Sequence, residues 1–187
     1  MRHCEEVELC RVGALDPPLI YRLKEDLASY LVGDISISER VIDPAPAFDP
    51  NRSQYSALDV MVELLREGVI NGIRRIGITS VDLFLPLFTH VIGSAQLGGH
   101  VGVTSVFRLR SEFSGCPHDP DCLRSRLLKE VLHELGHTHG LVHCDMPWCV
   151  MAASMLPEHV DLKDFRFCPR CAESINVKPW AEMEKQK

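Results

Sequence analysis

This sequence has no long apolar run. Its longest, Leu83 to Phe88, is broken by Pro86 and falls far short of the roughly 20 residues that cross a bilayer. The amino terminus, MRHCEEVELC, places glutamates where a secretory leader needs an apolar centre. Internal repeats, low-complexity tracts and long blocks of like charge are all missing. So is a basic excess: the 187 residues carry a net charge of −6, and an acidic surface disfavours the phosphate backbone of nucleic acids. Disorder does not fit a composition of 45% hydrophobic and 25% charged residues. These exclusions leave a soluble cytoplasmic protein, expected to be a monomer with neither a membrane nor a nucleic-acid partner. Residues 1–187 are long enough for one domain with a sizeable core.

Eight cysteines are present. A reducing compartment disfavours disulfides, so metal ligation or reactivity is the first explanation for them. Along the chain, Glu5–Val12 alternates as a strand, and Asp16-Pro17-Pro18 signals a helix start. Leu19, Leu23, Leu27 and Leu31 then recur at helical spacing, and Ile35–Ile42 alternates again. The spacing predicts a helix over Ser56–Glu67 with Leu58, Val62 and Leu65 inward. It predicts one strand over Ile73–Leu85, turns over Val91–Gly99, a strand over His100–Leu109, and a long helix over Asp121–His139 with Leu123, Leu127, Val131 and Leu135 on one face. After Gly140 the chain reads as loops and cysteines. The expected class is α/β: a twisted, partly parallel mixed sheet packed with helices. Residues 1–140 would form the sheet-and-helix part and 141–187 a C-terminal part stapled by metal.

The end of the long helix reads HELGHTHGLVH. His133 and His137 are four residues apart and share a helical face, so both imidazoles can reach one ion. Glu134 lies about 100° round the helix, where it can approach a metal-bound water without being a ligand. Gly140 can take a positive φ and stop the helix, after which the chain turns back and His143 becomes a third ligand. Three protein ligands leave a fourth position open, the catalytic arrangement of zinc. Zinc lowers the pKa of its bound water to about 7, and Glu134 would act as general base and then acid. His139 is off the ligand spacing and reads as a helix-end or pocket-wall residue.

Cys144, Cys149, Cys168 and Cys171 form a second set, C-x4-C followed by C-x2-C. Four thiolates with no open position describe a structural zinc. The alternatives, disulfides or a redox pair, fit a reducing compartment less well. Two zinc ions per chain are therefore expected, one catalytic and one structural. Because Cys144 directly follows His143, losing the structural metal should misplace the third catalytic ligand. Cys116 and Cys122 are expected to be unpaired thiols, and Cys4 and Cys10, on one face of the first strand, buried thiols.

HELGHTHGLVHC, then CVM, then CPRC closely resembles the archaemetzincin family of zinc metallopeptidases. The upstream segments RSQYSA, VDLFLP and AQLGG are also similar to archaemetzincin segments, so the likeness spans most of the chain. The resemblance implies a metzincin-like fold, with His133, His137 and His143 on the catalytic zinc, Glu134 as general base, and the four cysteines on the second zinc. It also implies that Met151 forms the Met-turn, a tight turn beneath the metal. By the same analogy Gly99–Val106 would be the rim strand of a substrate cleft, the alternative being an ordinary sheet strand. Some metzincins place a tyrosine just after the Met-turn; Ala152, Ala153 and Ser154 stand here, so an oxyanion-stabilising donor is not identified.

The function expected is hydrolysis of peptide bonds in peptides or small proteins. The alternative is a zinc-stabilised binding module with a silent site, which has no need of Glu134. Recognition of a substrate amino terminus would require an acidic group; Glu158, Asp161 and Asp164 are candidates by proximity alone. Basic residues near the cysteines are few: Lys163, Arg166, Arg170 and Lys178.

Overall fold

The computed structural model describes residues 5–66, 68 and 72–174; Cys4 and Lys178 lie outside them. Its centre is a five-stranded sheet. Strand β1 (Glu5–Val12) has alternating side chains, Val7 and Leu9 facing one core cluster and Cys10 and Val12 the other. Helix α1 (Pro17–Leu27) starts at the Asp16-Pro-Pro signal and buries Ile20, Leu23 and Leu27. It leads to β2 (Gly33–Ile42), which pairs parallel with β1.

After β2 come a short 3-10 turn and two brief strands, β3 (Phe48–Asp49) and β4 (Gln54–Ser56). Helix α2 (Ala57–Arg66) differs in facing from the sequence expectation. Ala57, Val60, Met61 and Leu64 are buried, whereas Leu58 and Val62 are 46% and 45% exposed. The apolar residues cover more than half the helix circumference, so periodicity leaves two possible faces, and only packing against the sheet selects one.

The expected strand Ile73–Leu85 is two strands. β5 (Ile73–Thr79) lies in the main sheet, parallel to β1. The chain then bends, and β6 (Leu83–Phe84) joins β3 and β4 in a separate three-stranded sheet. Within the expected turns lies β7 (Gly93–Ala95), and β8 covers Val101–Ser105. The main sheet has the order β2-β1-β5-β8-β7, with only β7 antiparallel to its neighbour. The rim strand expected at Gly99–Val106 is therefore internal, and β7 is the edge. His100 is exposed, and its N–H donates weakly, at 3.4 Å, to Gln96 Oε1.

Helix α3 (Pro120–Thr138) is capped by Asp119, whose side chain accepts from the N–H groups of Asp121 and Cys122. Leu123, Leu127, Val131 and Leu135 are buried, as the spacing predicts. One core joins α1 and α3 to one face of the sheet, and a second joins α2 to the other. The C-terminal part is not all loop: it holds α4 (Pro157–Leu162) and α5 (Pro169–Ser174), two short helices that each begin with proline. No described helix is long and apolar enough to cross a membrane.

Candidate active site

The C-terminal half of α3 carries His133, Glu134 and His137 into a cleft of about 400 Å³. Gly140 follows with φ +88°, and the N–H of Leu141 returns to the carbonyl of Gly136 at 3.0 Å. This left-handed turn reverses the chain and brings His143 back. One ring nitrogen from each of His133, His137 and His143 lies within 4.8 Å of the others.

The imidazoles are oriented from behind. His133 Nδ1 lies 2.8 Å from the Val150 carbonyl, and His137 Nδ1 lies 2.7 Å from the Leu141 carbonyl. Carbonyls only accept, so both Nδ1 atoms carry the proton and both Nε2 atoms present lone pairs, the second-sphere pattern of histidine metal ligands. The two Nε2 atoms are 3.0 Å apart. Lys163 Nζ also approaches His133 Nδ1, at 3.4 Å; donation there would require the other tautomer, and the shorter bond to Val150 decides against it. Burial first, and then Lys163, hold the His133 pKa well below its ordinary value. Burial also lowers His137 and His143. All three are neutral near pH 7, as ligation requires.

Glu134 is 3% exposed. Burial, and then the charge of Glu130, push its pKa well up. Its Oε2 makes no hydrogen bond among the described residues. The other carboxylate oxygen packs against Gly93 at the start of β7, where any Cβ would run into it and lie 2.9 Å from the Val103 carbonyl. Gly93 thus lets the edge strand approach the carboxylate, a close-approach requirement that spacing does not reveal. Ser154 Oγ, which lines the same cleft, is another buried oxygen without a hydrogen-bond partner among the described residues.

Beneath the histidines, Met151 is fully buried. A Cβ on Gly136 would run into its sulfur and lie 3.1 Å from Phe167. Sequence reading passed over Gly136; its signal was a glycine in the middle of a helix, where alanine is preferred. Met151 also accepts a backbone bond from Cys144 at 2.9 Å, which ties the methionine segment to the second cluster. There, the four sulfurs of Cys144, Cys149, Cys168 and Cys171 lie within 4.8 Å of one another and all four residues are buried. For Cys144 burial works upward, but hydrogen bonds from the Met146 backbone, Arg170 and the neighbouring thiols outweigh it and bring the pKa down to about 7. Arg170 Nη2 is 3.4 Å from this sulfur. Cys171 is pushed up, chiefly by burial.

Other candidates fall elsewhere. His139 accepts from Arg74 Nε at 3.1 Å and is not among the three clustered histidines. Asp161 forms a paired bond with Arg126, Asp164 pairs with Arg166, and Glu158 accepts from Ser114; none of the three lines the cleft. Lys163 is buried against Glu130 at 2.9 Å, so it contributes nothing to a basic surface. Cys10 is buried, and Cys116 and Cys122 are free thiols.

Comparison with known proteins agrees with this geometry. The model of peptidase family M54 matches residues 20–177. An archaemetzincin from Methanocaldococcus jannaschii is 33% identical over 165 residues, covering 88% of this chain and 89% of that protein. An archaemetzincin from Pyrococcus horikoshii is 38% identical over 148 residues, covering 78% and 76%. The crystal structure of archaemetzincin from Methanopyrus kandleri superposes with a TM-score of 0.79 at 32% identity, covering 92% and 93% of the two chains. That of a zinc-dependent peptidase from Methanocorpusculum labreanum gives 0.81 at 29% identity, covering 90% and 98%. The chain therefore belongs to peptidase family M54, the archaemetzincins, and is a zinc metallopeptidase.

Proposed function

We propose that His133, His137 and His143 hold a catalytic zinc and that Glu134 is the general base and acid of peptide-bond hydrolysis. The observation that carries this reading is the Glu134 carboxylate: buried, with one oxygen unpartnered, in the same cleft as three imidazole nitrogens already set in the ligating tautomer or position. Zinc bound there supplies Lewis acidity, polarising the scissile carbonyl and acidifying water. Glu134 accepts the proton of the attacking water and passes it to the leaving amine. Its burial makes it a stronger base than an exposed glutamate.

Substrate alignment follows from β7. Gln96 donates to the Val101 carbonyl and Ser105 donates to that of Ile92. This register turns the Gly93 and Ala95 backbone groups away from β8, towards the cleft. An extended peptide added antiparallel to this edge would bond to them, antiparallel pairing being slightly the more stable. The four cysteines hold a second, structural zinc, since four thiols without an open position suit a closed tetrahedral site. The protein acts as a monomer in the cytoplasm on peptides or small proteins.

The test is a peptide-library digest read by mass spectrometry, with elemental analysis of the same preparations. Wild type should hold two zinc ions and cleave peptides, and a chelator should stop it until zinc is restored. Glu134→Ala should keep both metals and lose roughly 10²- to 10⁴-fold in rate. His137→Ala should lose the catalytic metal and activity together. Cleavage by zinc-bound Glu134→Ala at the wild-type rate would overturn the assignment.

A further inference from the structure

His90 belongs to no sequence motif, yet it lines the same cleft as His133, Glu134 and His143. Its Nε2 lies 3.1 Å from the backbone carbonyl oxygen of Met155. A carbonyl only accepts, so Nε2 carries the proton and donates. Nδ1, 3.2 Å from Thr89 Oγ1, then accepts from that hydroxyl. His90 stands on the loop between β6 and β7, whereas Met155 stands on the segment running from Met151 to α4. The bond therefore joins the two walls of the cleft.

Both ends of this link are anchored. On the His90 side, Arg52 Nη1 donates to the Phe88 carbonyl and Gln54 Nε2 to the Thr89 carbonyl, each at 3.1 Å. Val91 pairs with Leu83. On the far side, the N–H of Met155 donates to His159 Nδ1 in α4 at 3.3 Å. The walls are held by their own contacts, so removing the imidazole opens a gap between them.

The place of the link along the cleft gives it a consequence. The Glu134 carboxylate packs on Gly93, the first residue of β7. Ser94, Ala95 and Leu97 extend the cleft from that point in one direction, and His90 lies on the other side. A peptide antiparallel to β7 runs its N-terminal part along Ser94 to Leu97 and sends its C-terminal part towards His90. Resting on the peptidase reading above, we propose that His90 is a specificity-determining residue. Its bond to Met155 straps the cleft on the C-terminal side of the scissile bond; His90 precedes Gly93 by three residues, which extended chain spans in at most about 10 Å, so the strap stands within about three substrate residues of that bond. The preferred substrates are chains that end within that distance.

The experiment uses two peptide ladders sharing one scissile bond, one lengthened stepwise on its C-terminal side and the other on its N-terminal side. Zinc-loaded wild type should lose kcat/KM once the C-terminal side passes about three residues and should tolerate N-terminal extension. His90→Ala should cleave the longest C-terminal members roughly threefold to tenfold better than wild type, the scale set by one exposed hydrogen bond, and should leave the shortest within about twofold. His90→Gln, which keeps an N–H donor, should restore part of the cut-off. Thermal melts check that both variants are folded. The same ladders are also bound to zinc-loaded Glu134→Ala protein, with and without His90→Ala, by fluorescence anisotropy. The length cut-off should appear in Kd and disappear with the imidazole. This arm needs no turnover: a cut-off in binding without cleavage by wild type would sink the peptidase reading and leave the strap standing. Equal length profiles with and without His90, or a cut-off on the N-terminal side, overturn the proposal.

Discussion

Gly136 and Gly93 are the residues at which a single added methyl group reports most directly on the site. At Gly136 the methyl would meet the buried Met151 sulfur and the Phe167 ring. Alanine gains about 1 kcal/mol of helix propensity over glycine, but overpacking a close-packed core costs about 1–3 kcal/mol. Gly136→Ala should therefore lower the Tm by a few degrees instead of raising it, as a thermal melt would show. At Gly93 the methyl would meet the Glu134 carboxylate and the Val103 carbonyl. Gly93→Ala should keep its zinc but lose on the order of 10²-fold in kcat/KM, because a shift of about 1 Å in a reacting group is enough for that. The histidines give a pH prediction with a definite sign. Burial lowers all three below the ordinary value of about 6.5, so protons displace the metal only at lower pH. Zinc occupancy at this site, followed by equilibrium dialysis, should stay flat from about pH 8 to 6.5 and fall below that. At this scale the clustering of the three histidines was legible in the sequence, because their spacing is imposed by one helix and one turn. The two glycines were not, since their partners come from distant parts of the chain.

Among the elements, α3 carries charged side chains that its neighbours must neutralise. Arg126 is 7% exposed; it donates to both Asp161 carboxylate oxygens and to the Leu109 carbonyl. Glu130 pairs with Lys163, and both side chains are almost wholly buried. Together these contacts fasten α4 and the following segment to the helix that carries the ligands. Lys163→Met should cost about 3–5 kcal/mol, because it leaves the Glu130 carboxylate buried and unpaired. The double variant Lys163→Met/Glu130→Gln should recover most of that loss. Denaturant titrations of the two single variants and the double variant measure the coupling; simple additivity would show that the pair does not act as a unit. Spacing alone read this helix as having one apolar face. The structure buries it nearly all round, because helices and the cysteine-bearing segment cover its other faces. The rim strand shows a similar gap. Gly99–Val106 has the more strand-like sequence, but it pairs with β5 on one side, and the short β7 takes the edge.

For the whole molecule, the histidine and cysteine clusters are mechanically one. Cys144 follows His143 in sequence and bonds to the Met151 backbone. Cys149 precedes Val150, whose carbonyl orients His133. Removing the metal from the cysteines should therefore disturb the histidines, whereas the reverse should do less. Cys171→Ser is expected to lower the melting temperature far more than Glu134→Ala, since structural zinc contributes folding free energy directly. Differential scanning calorimetry of the two variants decides it, and equal transitions would contradict a structural role for the thiol cluster.

By itself the sequence determined which three histidines and which four cysteines cluster, the helix that carries the first group, the turn at Gly140, and the α/β class. Each is a matter of residues close along the chain, where helical geometry, a positive φ or a two-residue knuckle fixes the outcome locally. The tertiary structure alone decided which strand forms the open edge, which face of α2 is buried, and how Gly93 and Gly136 admit the carboxylate and the methionine. It also decided that His90 reaches across to Met155. These are contacts between segments far apart in sequence, set by close packing of the whole chain, and no local pattern encodes them.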